Sequence, residues 1–532
     1  MKTRIRIIAL ALTLLMLCAC SAPAAEKKEP EDSGGLAVQL DPLCSSLSED
    51  NARVFYEIFV GSFSDSNGDG IGDLRGIINR VDYLTDLGVE GLWLTPIFRS
   101  PSYHKYDVAD FYEIDPQFGT MDDLRELLDV FHERDIKVIL DLPINHTSTQ
   151  NEWFKSFRNA RKEGNTGDPY YYFYSCCSNN APAPAGRAFY SLAGTNFRYE
   201  GNFTSEMPEI NFDNYQVRIA MLDVARYYLD LGVDGFRFDA AKYIYFGDNA
   251  ASLAFWEWYI GKLREVRPDV YTVAEVWDGS GVVDIYTAAT NCFDFGCSQP
   301  DGIIARTAKG GDVNAFAAYV ADCVSRIRNT NPAGMMVPFI TNHDMDRAAG
   351  FLTVSSGTMA MAANLYLLSS GSPFIYYGEE IGLKGSRGGA NTDANRRLHM
   401  LWGDGDTVAD PEGSTYSSQA DTSAAEQLSD ENSLLTRYRR LLRIRRANPE
   451  IARGDYTALK FEGTKLGGFI SEWNGGSVCV LHNTTDEPFT VDLRRAGAGD
   501  FSQISACIGE GEATLDGDLL TLDGRTSVVL RK

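Results

Sequence analysis

The chain of 532 residues has few cysteines and few positive charges for its size. Its ten cysteines are spread thinly and include no CxxC pair, so a disulfide-dense scaffold is excluded and no zinc site is indicated. Lysine and arginine number 49 against 73 aspartate and glutamate residues, a formal net charge of −24. Because binding of nucleic-acid phosphates needs basic patches, this balance argues against a nucleic-acid partner and suits a neutral substrate.

The N-terminus carries three positive charges within its first six residues, followed by the apolar run 7–17. This run is too short to span a bilayer, which is typical of a signal peptide. It ends in Leu-Cys-Ala-Cys, which resembles a bacterial lipoprotein signal with Cys20 as the lipidated first residue of the mature chain. An ordinary signal peptide cleaved nearby is the alternative. We expect a signal at 1–20, a flexible linker at 21–50, and a cell-surface or periplasmic protein that contacts the membrane only through its anchor.

From residue 51 onward, short apolar runs alternate with stretches of helical periodicity. The stretch that begins at Leu74, for example, repeats apolar residues every three or four positions. Eight apolar runs have the length and composition of strands: 53–59, 91–94, 137–142, 235–238, 270–274, 291–293, 335–339 and 374–377. Eight such alternations favour an α/β fold of the (β/α)8 TIM-barrel type over an open doubly wound sheet.

Two regions interrupt or follow this alternation. Residues 147–208 are irregular and rich in aromatics, asparagine, glycine and proline, and a loop of that length is uncommon unless it has a function. We therefore expect an inserted domain after the third strand. Short strands and turns at 451–532 predict a C-terminal antiparallel β-sandwich. The barrel itself would take 51–146 and 209–450.

Four of the apolar runs end in carboxylates, often beside histidine or arginine. They lie within residues 141–146, 235–242, 273–277 and 339–344. Parallel strands deliver such groups to their carboxyl ends, where barrel enzymes have their active sites. One acid at a strand end is more often a helix cap or part of a surface salt bridge. Four such segments in register with barrel strands indicate carbohydrate chemistry instead.

The acids in these segments suit retaining glycoside hydrolysis, which needs a nucleophile and an acid about 5 Å apart. Asp239 ends the fourth strand and Glu275 the fifth, so neighbouring strands would bring them together. Arg237 lies on the same strand face as Asp239 and would keep that carboxylate ionised. Apolar neighbours would raise the pKa of Glu275 toward the acid/base role. Asp344 would be a third carboxylate that holds sugar hydroxyls at the transition state.

Together with stretches 88–96, 207–211 and 371–380, these segments resemble the conserved regions of glycoside hydrolase family 13, the α-amylase family. The resemblance extends from about residue 53 to the C-terminus, and seven motifs in order make it specific. It implies that Asp239 is the nucleophile, Glu275 the acid/base and Asp344 the transition-state stabiliser. It also implies sugar contacts from Arg237, His146, His343 and a stacking Tyr106. For Tyr106, simple packing in the barrel is the alternative.

The loop after the first strand has oxygen-bearing side chains at every second residue, separated by glycines. It reads Asp65-Ser66-Asn67-Gly68-Asp69-Gly70-Ile71-Gly72-Asp73, and opens like an EF-hand, but its twelfth position is glycine rather than glutamate. It resembles the calcium loop of oligo-1,6-glucosidases and their relatives. That resemblance implies Ca²⁺ bound by the side chains of Asp65, Asn67, Asp69 and Asp73 and by the Ile71 carbonyl. A metal-free turn is the alternative.

Two features bear on the substrate within this family. Residues 207–211 resemble those of a bacterial amylase group intermediate between oligo-1,6-glucosidases and neopullulanases. Tyr103 stands three residues before Tyr106, where exo-acting α-glucosidases usually carry an aspartate that closes the pocket. We therefore expect a monomeric enzyme that hydrolyses internal α-1,4 bonds of starch, glycogen and maltooligosaccharides. Alternatives are α-glucosidase or neopullulanase-type activity on short or α-1,6-containing glucans, and a non-catalytic glucan-binding lipoprotein.

Overall fold

The structure is a computed structural model that describes residues 40, 43–44, 51–388 and 393–532. The predicted signal, Cys20 and nearly all of the linker lie outside the described residues. Within the described ranges, no helix has both the length and the apolar character needed to cross a membrane. The eight cysteines that these ranges contain are free thiols.

Eight parallel strands form a nearly closed barrel. They are β1 (Phe55–Ile58), β2 (Gly91–Leu94), β3 (Lys137–Leu142), β4 (Gly235–Phe238), β5 (Tyr271–Ala274), β6 (Asn291–Phe293), β7 (Met336–Val337) and β8 (Phe374–Tyr376). Each strand from β1 to β6 pairs with the next, and β1 also pairs with β8. A parallel bridge between Phe339 and Phe374 closes the remaining gap after β7. The predicted TIM barrel is confirmed.

Helices alternate with these strands along the chain. They are α1 (Leu74–Asn79), α2 (Val81–Leu87), α3 (Met121–His132), α4 (Glu152–Glu163), α5 (Tyr215–Asp230), α6 (Asn249–Val266), α7 (Ser280–Tyr286), α8 (Ile303–Ala308), α9 (Val313–Thr330), α10 (Thr358–Leu367), α11 (Ala424–Leu428), α12 (Leu434–Ala447) and α13 (Glu450–Arg453). The periodic stretch from Leu74 forms two helices because the backbone of Arg80 leaves the helical region. Asp73 begins α1 as an N-cap, accepting a hydrogen bond from the Gly76 amide.

Side chains alternate along each strand, so every second residue points into the barrel. The interior packs as one cluster: Phe55, Trp93, Ile139, Tyr271, Val273, Phe293, Val337, Phe339, Met345 and Phe374. Gly91 is needed here, because a Cβ at that position would lie 2.4 Å from the Phe55 ring. Two positions after Phe55 and Ile139, the same inward face carries Glu57 and Asp141, both buried. The apolar interior thus gives way to charged groups toward the carboxyl ends of the strands.

The region between β3 and β4 has secondary structure of its own. Besides α4 it contains a three-stranded antiparallel sheet of Cys176–Ser178, Phe189–Ser191 and Phe197–Glu200. An antiparallel bridge from His146 to Glu209 joins its two ends, and a second bridge pairs Tyr174, in its middle, with Ile210. A small hairpin of Phe98–Arg99 and Asp110–Ile114 follows β2. The limits of the insert, 147 and 208, stay a prediction.

The C-terminal part consists of two antiparallel sheets. Its strands are β9 (Asp455–Lys460), β10 (Gly467–Trp473), β11 (Gly476–Asn483), β12 (Phe489–Asp492), β13 (Gln503–Gly509), β14 (Ala513–Asp516), β15 (Leu519–Leu522) and β16 (Thr526–Arg531). The larger sheet has the order β9-β10-β11-β16-β13 and the smaller one β12-β15-β14. Residues from both sheets, including Leu481, Leu520 and Leu530, share one hydrophobic core. The predicted antiparallel C-terminal sheets are therefore present.

Candidate active site

Two neighbouring strands end in the predicted pair of acids. Asp239 follows β4 directly and Glu275 follows β5 directly. The two strands pair in register with Phe238 opposite Ala274, and the Glu275 amide donates a hydrogen bond to the Phe238 carbonyl at 2.9 Å. The strand pairing therefore places the two carboxylates side by side at the same rim of the barrel.

A buried arginine links these acids. The Arg237 side chain is 0% exposed, and its Nη1 donates to Asp239 Oδ1 at 2.7 Å and to both oxygens of Asp141 at 2.9 and 3.0 Å. Its Nη2 donates to Glu275 Oε2 at 2.8 Å. A fully desolvated guanidinium is tolerable only with several charge-assisted hydrogen bonds, and three carboxylates supply them. Arg237 thus fixes the relative positions of three acids from three strands.

The third predicted acid, Asp344, lies in the loop after β7 together with His343. The His343 Nε2 lies 3.1 Å from Asp344 Oδ2, and Arg397 Nη2 lies 2.7 Å from Asp344 Oδ1. On the other side of its ring, His343 Nδ1 lies 2.6 Å from Glu57 Oε1. Asp344 is therefore held between two positively charged groups, only one of which the sequence had indicated.

The environments of the three acids shift their pKa values differently. Burial, reinforced by Asp239 and Asp344, raises the pKa of Glu275 to about 7, although Arg237 opposes the rise. Burial also raises the pKa of Asp239, although Arg237 lowers it, so the guanidinium does not by itself determine the ionisation of that carboxylate, contrary to the expectation from the sequence. The Asp344 side chain is 32% exposed, more than those of Asp239 and Glu275, and His343 and Arg397 hold its pKa well below the ordinary range. The predicted rise for Glu275 is confirmed.

Tyr106 contributes a hydroxyl as well as a ring. The ring stacks on His343 with a 5.3 Å centroid separation, and the side chain is buried. Its hydroxyl lies 2.8 Å from Asp141 Oδ2 and 2.7 Å from His343 Nε2. Asp141 also accepts a hydrogen bond from the indole of Trp93 at 3.2 Å. These bonds connect the two halves of the site through buried polar groups.

His146 lies in the loop after β3, where the inserted region begins. Its imidazole is buried, yet neither ring nitrogen has a hydrogen-bond partner within the described residues. Burial lowers the pKa of His146 to about 4, so the ring is neutral near pH 7. The exposed ring of Phe203 lies 5.2 Å away. A neutral buried imidazole without a partner is suited to bind a polar ligand such as a sugar hydroxyl.

Two residues that bear on the site were not predicted. Glu57, in the middle of β1, had a visible signal: it is the single charged residue of an apolar strand, Phe55–Ile58. Arg397 had none, because it lies in a loop 53 residues after Asp344, where no periodicity or motif marks it. Besides Asp344, Arg397 binds the Tyr103 hydroxyl at 3.0 Å. Tyr103 is therefore at the edge of the same site.

The predicted metal loop forms a tight turn whose side chains point back onto its own backbone. Asp65 accepts hydrogen bonds from the amides of Asn67, Gly68 and Gly70. Within the described ranges, no three histidine, cysteine or acidic side chains form a cluster that could hold a metal ion. The donor set nevertheless contains only oxygen, which suits Ca²⁺, and would rely on Asn67 and the Ile71 carbonyl besides the carboxylates. The chemistry of the donors fits the ion.

A parallel barrel that gathers three strand-end carboxylates around a buried arginine defines a carbohydrate-active enzyme of the glycosidase class. Residues 57–454 match the family described as "Alpha amylase, catalytic domain". The chain therefore belongs to the α-amylase family, glycoside hydrolase family 13.

Among sequence relatives, "Alpha-amylase 3" of Dictyoglomus thermophilum is 36% identical over 81% of this chain and 84% of its own length. The "4-alpha-glucanotransferase" of Thermotoga neapolitana is 34% identical over 64% of this chain and 74% of its own length. Among solved structures, "Eubacterium rectale Amy13B" matches with a TM-score of 0.85 and 32% identity, covering 92% of this chain and 97% of that one. Relatives with both hydrolase and transferase names establish the family but not one specificity.

Proposed function

We propose that this protein hydrolyses internal α-1,4-glucosidic bonds in starch, glycogen and maltooligosaccharides, with retention of anomeric configuration. The observation that carries the proposal is the Arg237 guanidinium, which binds Asp239 through one nitrogen and Glu275 through another. One planar group that bonds both carboxylates holds them at a short spacing. Retaining enzymes use such a spacing, about 5 Å, whereas inverting enzymes need a larger gap for water.

In the first step, an Asp239 oxygen attacks the anomeric carbon while Glu275 donates its proton to the glycosidic oxygen. The carbon–oxygen bond breaks, the leaving chain departs with its new hydroxyl, and a glucosyl ester forms on Asp239. In the second step, the Glu275 carboxylate takes a proton from water, and the water oxygen displaces Asp239. A pKa of about 7 suits Glu275 to donating and then recovering this proton.

Sugar binding is proposed to use the polar groups that the site leaves available. Asp344, ionised because of His343 and Arg397, can accept hydrogen bonds from two sugar hydroxyls in the distorted ring. The unpartnered His146 imidazole can bond a third hydroxyl. The remaining ring surface of Tyr106, which is 8% exposed, would lie against the apolar face of the glucose unit.

The endo mode of attack is supported by the residue at position 103, which contacts Arg397 and is a tyrosine rather than an acid. A carboxylate at position 103 would form an ion pair with this arginine and wall off the non-reducing end of the sugar. Tyr103 instead offers a neutral hydroxyl at 3.0 Å, a weaker contact that a longer glucan can displace. The 36% identical relative named α-amylase agrees with polymer hydrolysis.

The test is a product profile on starch, maltoheptaose and pullulan. Endo-hydrolysis predicts a fast fall in starch viscosity and a mixture of short maltooligosaccharides from maltoheptaose. Release of glucose alone, with unchanged starch viscosity, would instead identify an exo-acting α-glucosidase. Pullulan cleavage would identify the neopullulanase-type alternative. No turnover, with glucan binding unaffected by Asp239→Asn, would identify a non-catalytic binding protein.

Transfer to a sugar acceptor is a second candidate. Trp277 is 41% exposed, stacks on Phe295 at 5.0 Å and lies two residues after Glu275, so it offers an aromatic surface beside the cleft. An acceptor sugar stacked there would compete with water for the glucosyl ester. The relatives named 4-α-glucanotransferase agree with this reading. Products longer than the maltoheptaose supplied would show transfer.

We further propose that the loop 65–73 binds one Ca²⁺ and that Cys20 carries a lipid anchor. The ion would stabilise the turn between β1 and α1, whereas the chemistry would remain with the carboxylates of the cleft. The anchor would place the enzyme outside the cytoplasm, where its polymer substrate is found. Labelling with a radioactive fatty acid tests the anchor: the label should be lost in Cys20→Ala, and incorporation that survives the substitution would refute it.

A further inference from the structure

Glu57 is a buried acid in the wall of the barrel that the two chemical steps do not use. It occupies the third position of β1 and is 1% exposed. Its carboxylate Oε1 accepts hydrogen bonds from His343, at 2.6 Å from the ring Nδ1 and 3.3 Å from the backbone amide. A charged group buried in an apolar strand costs folding free energy, so its two bonds to one histidine call for an explanation.

The hydrogen bond to Glu57 determines which ring nitrogens of His343 carry protons. Because a carboxylate only accepts, the proton of this bond belongs to Nδ1. The opposite nitrogen, Nε2, faces Asp344 at 3.1 Å and the Tyr106 hydroxyl at 2.7 Å. Tyr106 donates its own proton to Asp141, so Nε2 must donate toward the tyrosine and Asp344 oxygens. This pattern requires a second proton on the ring.

We infer that Glu57 is a positioning residue that keeps His343 doubly protonated, and that His343 in turn keeps Asp344 ionised and aimed into the cleft. Glu57 touches neither substrate nor reacting atoms. The consequence for turnover rests on the proposed role of Asp344, whereas the charge of His343 does not. The two parts of the inference can therefore fail separately.

Several other charged or titratable groups face this pair. Burial raises the pKa of Glu57, and the neighbouring cations His343 and Arg237 on β4 oppose this rise and favour the ionised form. Tyr376 on β8 also interacts electrostatically with Glu57. Burial likewise raises the pKa of Asp141 on β3, and Arg237 and His343 again oppose the rise. Burial would drive the proton off His343, but Asp344 and Glu57 together raise its pKa to about 10. Arg397 also contacts Asp344, whereas His343 is the cation in direct contact with Glu57 within the described residues.

Replacing Glu57 with glutamine keeps the shape and removes the charge. The Nδ1–H group would then donate its hydrogen bond to the neutral amide oxygen, and the ring would lose one of its two neighbouring anions. Once the second proton leaves, the Nε2 lone pair faces the Asp344 carboxylate and repels it. Loss of an opposite charge at this distance shifts a pKa by about 1–3 units.

The direct test is ¹⁵N-histidine NMR on the folded protein. The chain has six histidines, so the His343 signal can be assigned by its loss in His343→Asn. In the wild type, both ring nitrogens of His343 should carry protons at pH 8, and in Glu57→Gln the titration midpoint should fall by about 1–3 units. A neutral His343 ring in the wild type at pH 8 would overturn the inference without any variant.

Kinetics then test the link to Asp344. In the wild type, kcat/KM should fall at alkaline pH with the slope expected for loss of one proton, from Glu275. In Glu57→Gln, His343 should lose its proton in the same pH range, so the slope should approach that for loss of two protons. Glu57→Asp restores the anion with a shorter reach and should recover the one-proton limb. Glu90→Gln is the control, because Glu90 is also buried but lies just before β2, where it accepts a hydrogen bond from the Val54 amide that precedes β1. An unchanged limb in Glu57→Gln, with a shifted His343 signal, would confirm that Glu57 keeps His343 protonated but refute the link from His343 through Asp344 to turnover.

Discussion

Two pairs of buried acids follow barrel strands in this protein, and their partners differ completely. Asp239 and Glu275, after β4 and β5, both bind the Arg237 guanidinium. Glu379 and Glu380, after β8, bind tyrosine hydroxyls instead: Tyr366 and Tyr438 for Glu379, and Tyr56 and Tyr83 for Glu380. Within the described residues, no lysine, arginine or histidine forms an ion pair with Glu379 or Glu380.

The difference teaches how a fold decides whether a buried acid is available for chemistry. A guanidinium keeps charge in the cleft and lets two neighbouring acids hold different protonation states. The tyrosine hydroxyls donate to one oxygen, Oε1, of each carboxyl group, and the other oxygen, Oε2, is buried without a hydrogen-bond partner within the described residues. Among the residues that the structure describes, no cation is in direct contact there, so burial raises the pKa of Glu379 to about 8 and also raises that of Glu380, although Arg347 opposes both rises from a distance. The first pair keeps some exposure at the rim of the barrel, whereas burial of the second pair favours its protonated form.

The largest expected effect is on the cleft pair. Asp239→Asn keeps the shape of the side chain but removes the nucleophile, and we expect kcat on maltoheptaose to fall by about 10⁴–10⁶-fold. The thermal midpoint should change little, because Arg237 keeps Asp141 and Glu275 as partners. Asp269→Asn, an exposed surface change, is the control. Turnover above a few per cent of the wild type would show that Asp239 is not the nucleophile.

Glu275→Gln should have a smaller but more informative effect. Loss of the acid predicts about a 10²–10⁴-fold fall in kcat on maltoheptaose. The fall should be much less for the first step on a 4-nitrophenyl maltoside, whose leaving group needs no proton. Wild-type kcat/KM should decline as pH rises through about 7, where Glu275 loses its proton, and this limb should vanish in the variant. An equal loss on both substrates would contradict the acid role.

The tyrosine-bound pair should respond in stability rather than in turnover. A carboxyl group whose folded pKa is raised to about 8 stabilises the fold fully below its unfolded pKa, near 4.3, and this contribution is lost as pH rises through about 8. Glu379→Gln cannot titrate, so its thermal midpoint should fall less than that of the wild type between pH 5 and pH 9. Activity at pH 6 should stay within about twofold. Parallel midpoint curves would refute the neutral state of Glu379.

Much of this arrangement could be predicted from the sequence, and the exceptions have physical causes. Strands β2, β3, β4 and β6 have the predicted bounds, because each is an apolar run with polar or turn residues at its ends, which fixes where the strand begins and ends. The predicted strand 335–339 shortens to Met336–Val337, since Pro338 has no amide proton to donate to a ladder. The roles of Glu57 and Arg397 depend on contacts across the barrel that no local pattern encodes.

The two acid pairs illustrate the same limit. Both pairs follow apolar strands, so the sequence alone predicts for both that the carboxylates lie at the carboxyl end of a strand, where an active site would be. Whether a guanidinium or a ring of tyrosines meets them depends on residues far away in the chain, such as Tyr56 and Tyr438, which approach only after the barrel closes. A motif therefore predicts where an acid lies better than it predicts the protonation state of that acid.

The smallest expected effect concerns a third group of acids, in the exposed loop 65–73. Asp69 is exposed and Asp65 accepts hydrogen bonds from loop amides, whereas Asp73 is buried as the N-cap of α1. The turn can therefore form without an ion, and a bound Ca²⁺ would add only its binding free energy. At 100 times the dissociation constant that is about 2.7 kcal/mol, which corresponds to a few degrees in the thermal midpoint. Chelation should lower the midpoint by that amount and Ca²⁺ should restore it, whereas Asp69→Ala should show neither response. A midpoint insensitive to chelation in the wild type would leave the loop as a metal-free turn, the solvated counterpart of the tyrosine-bound acids.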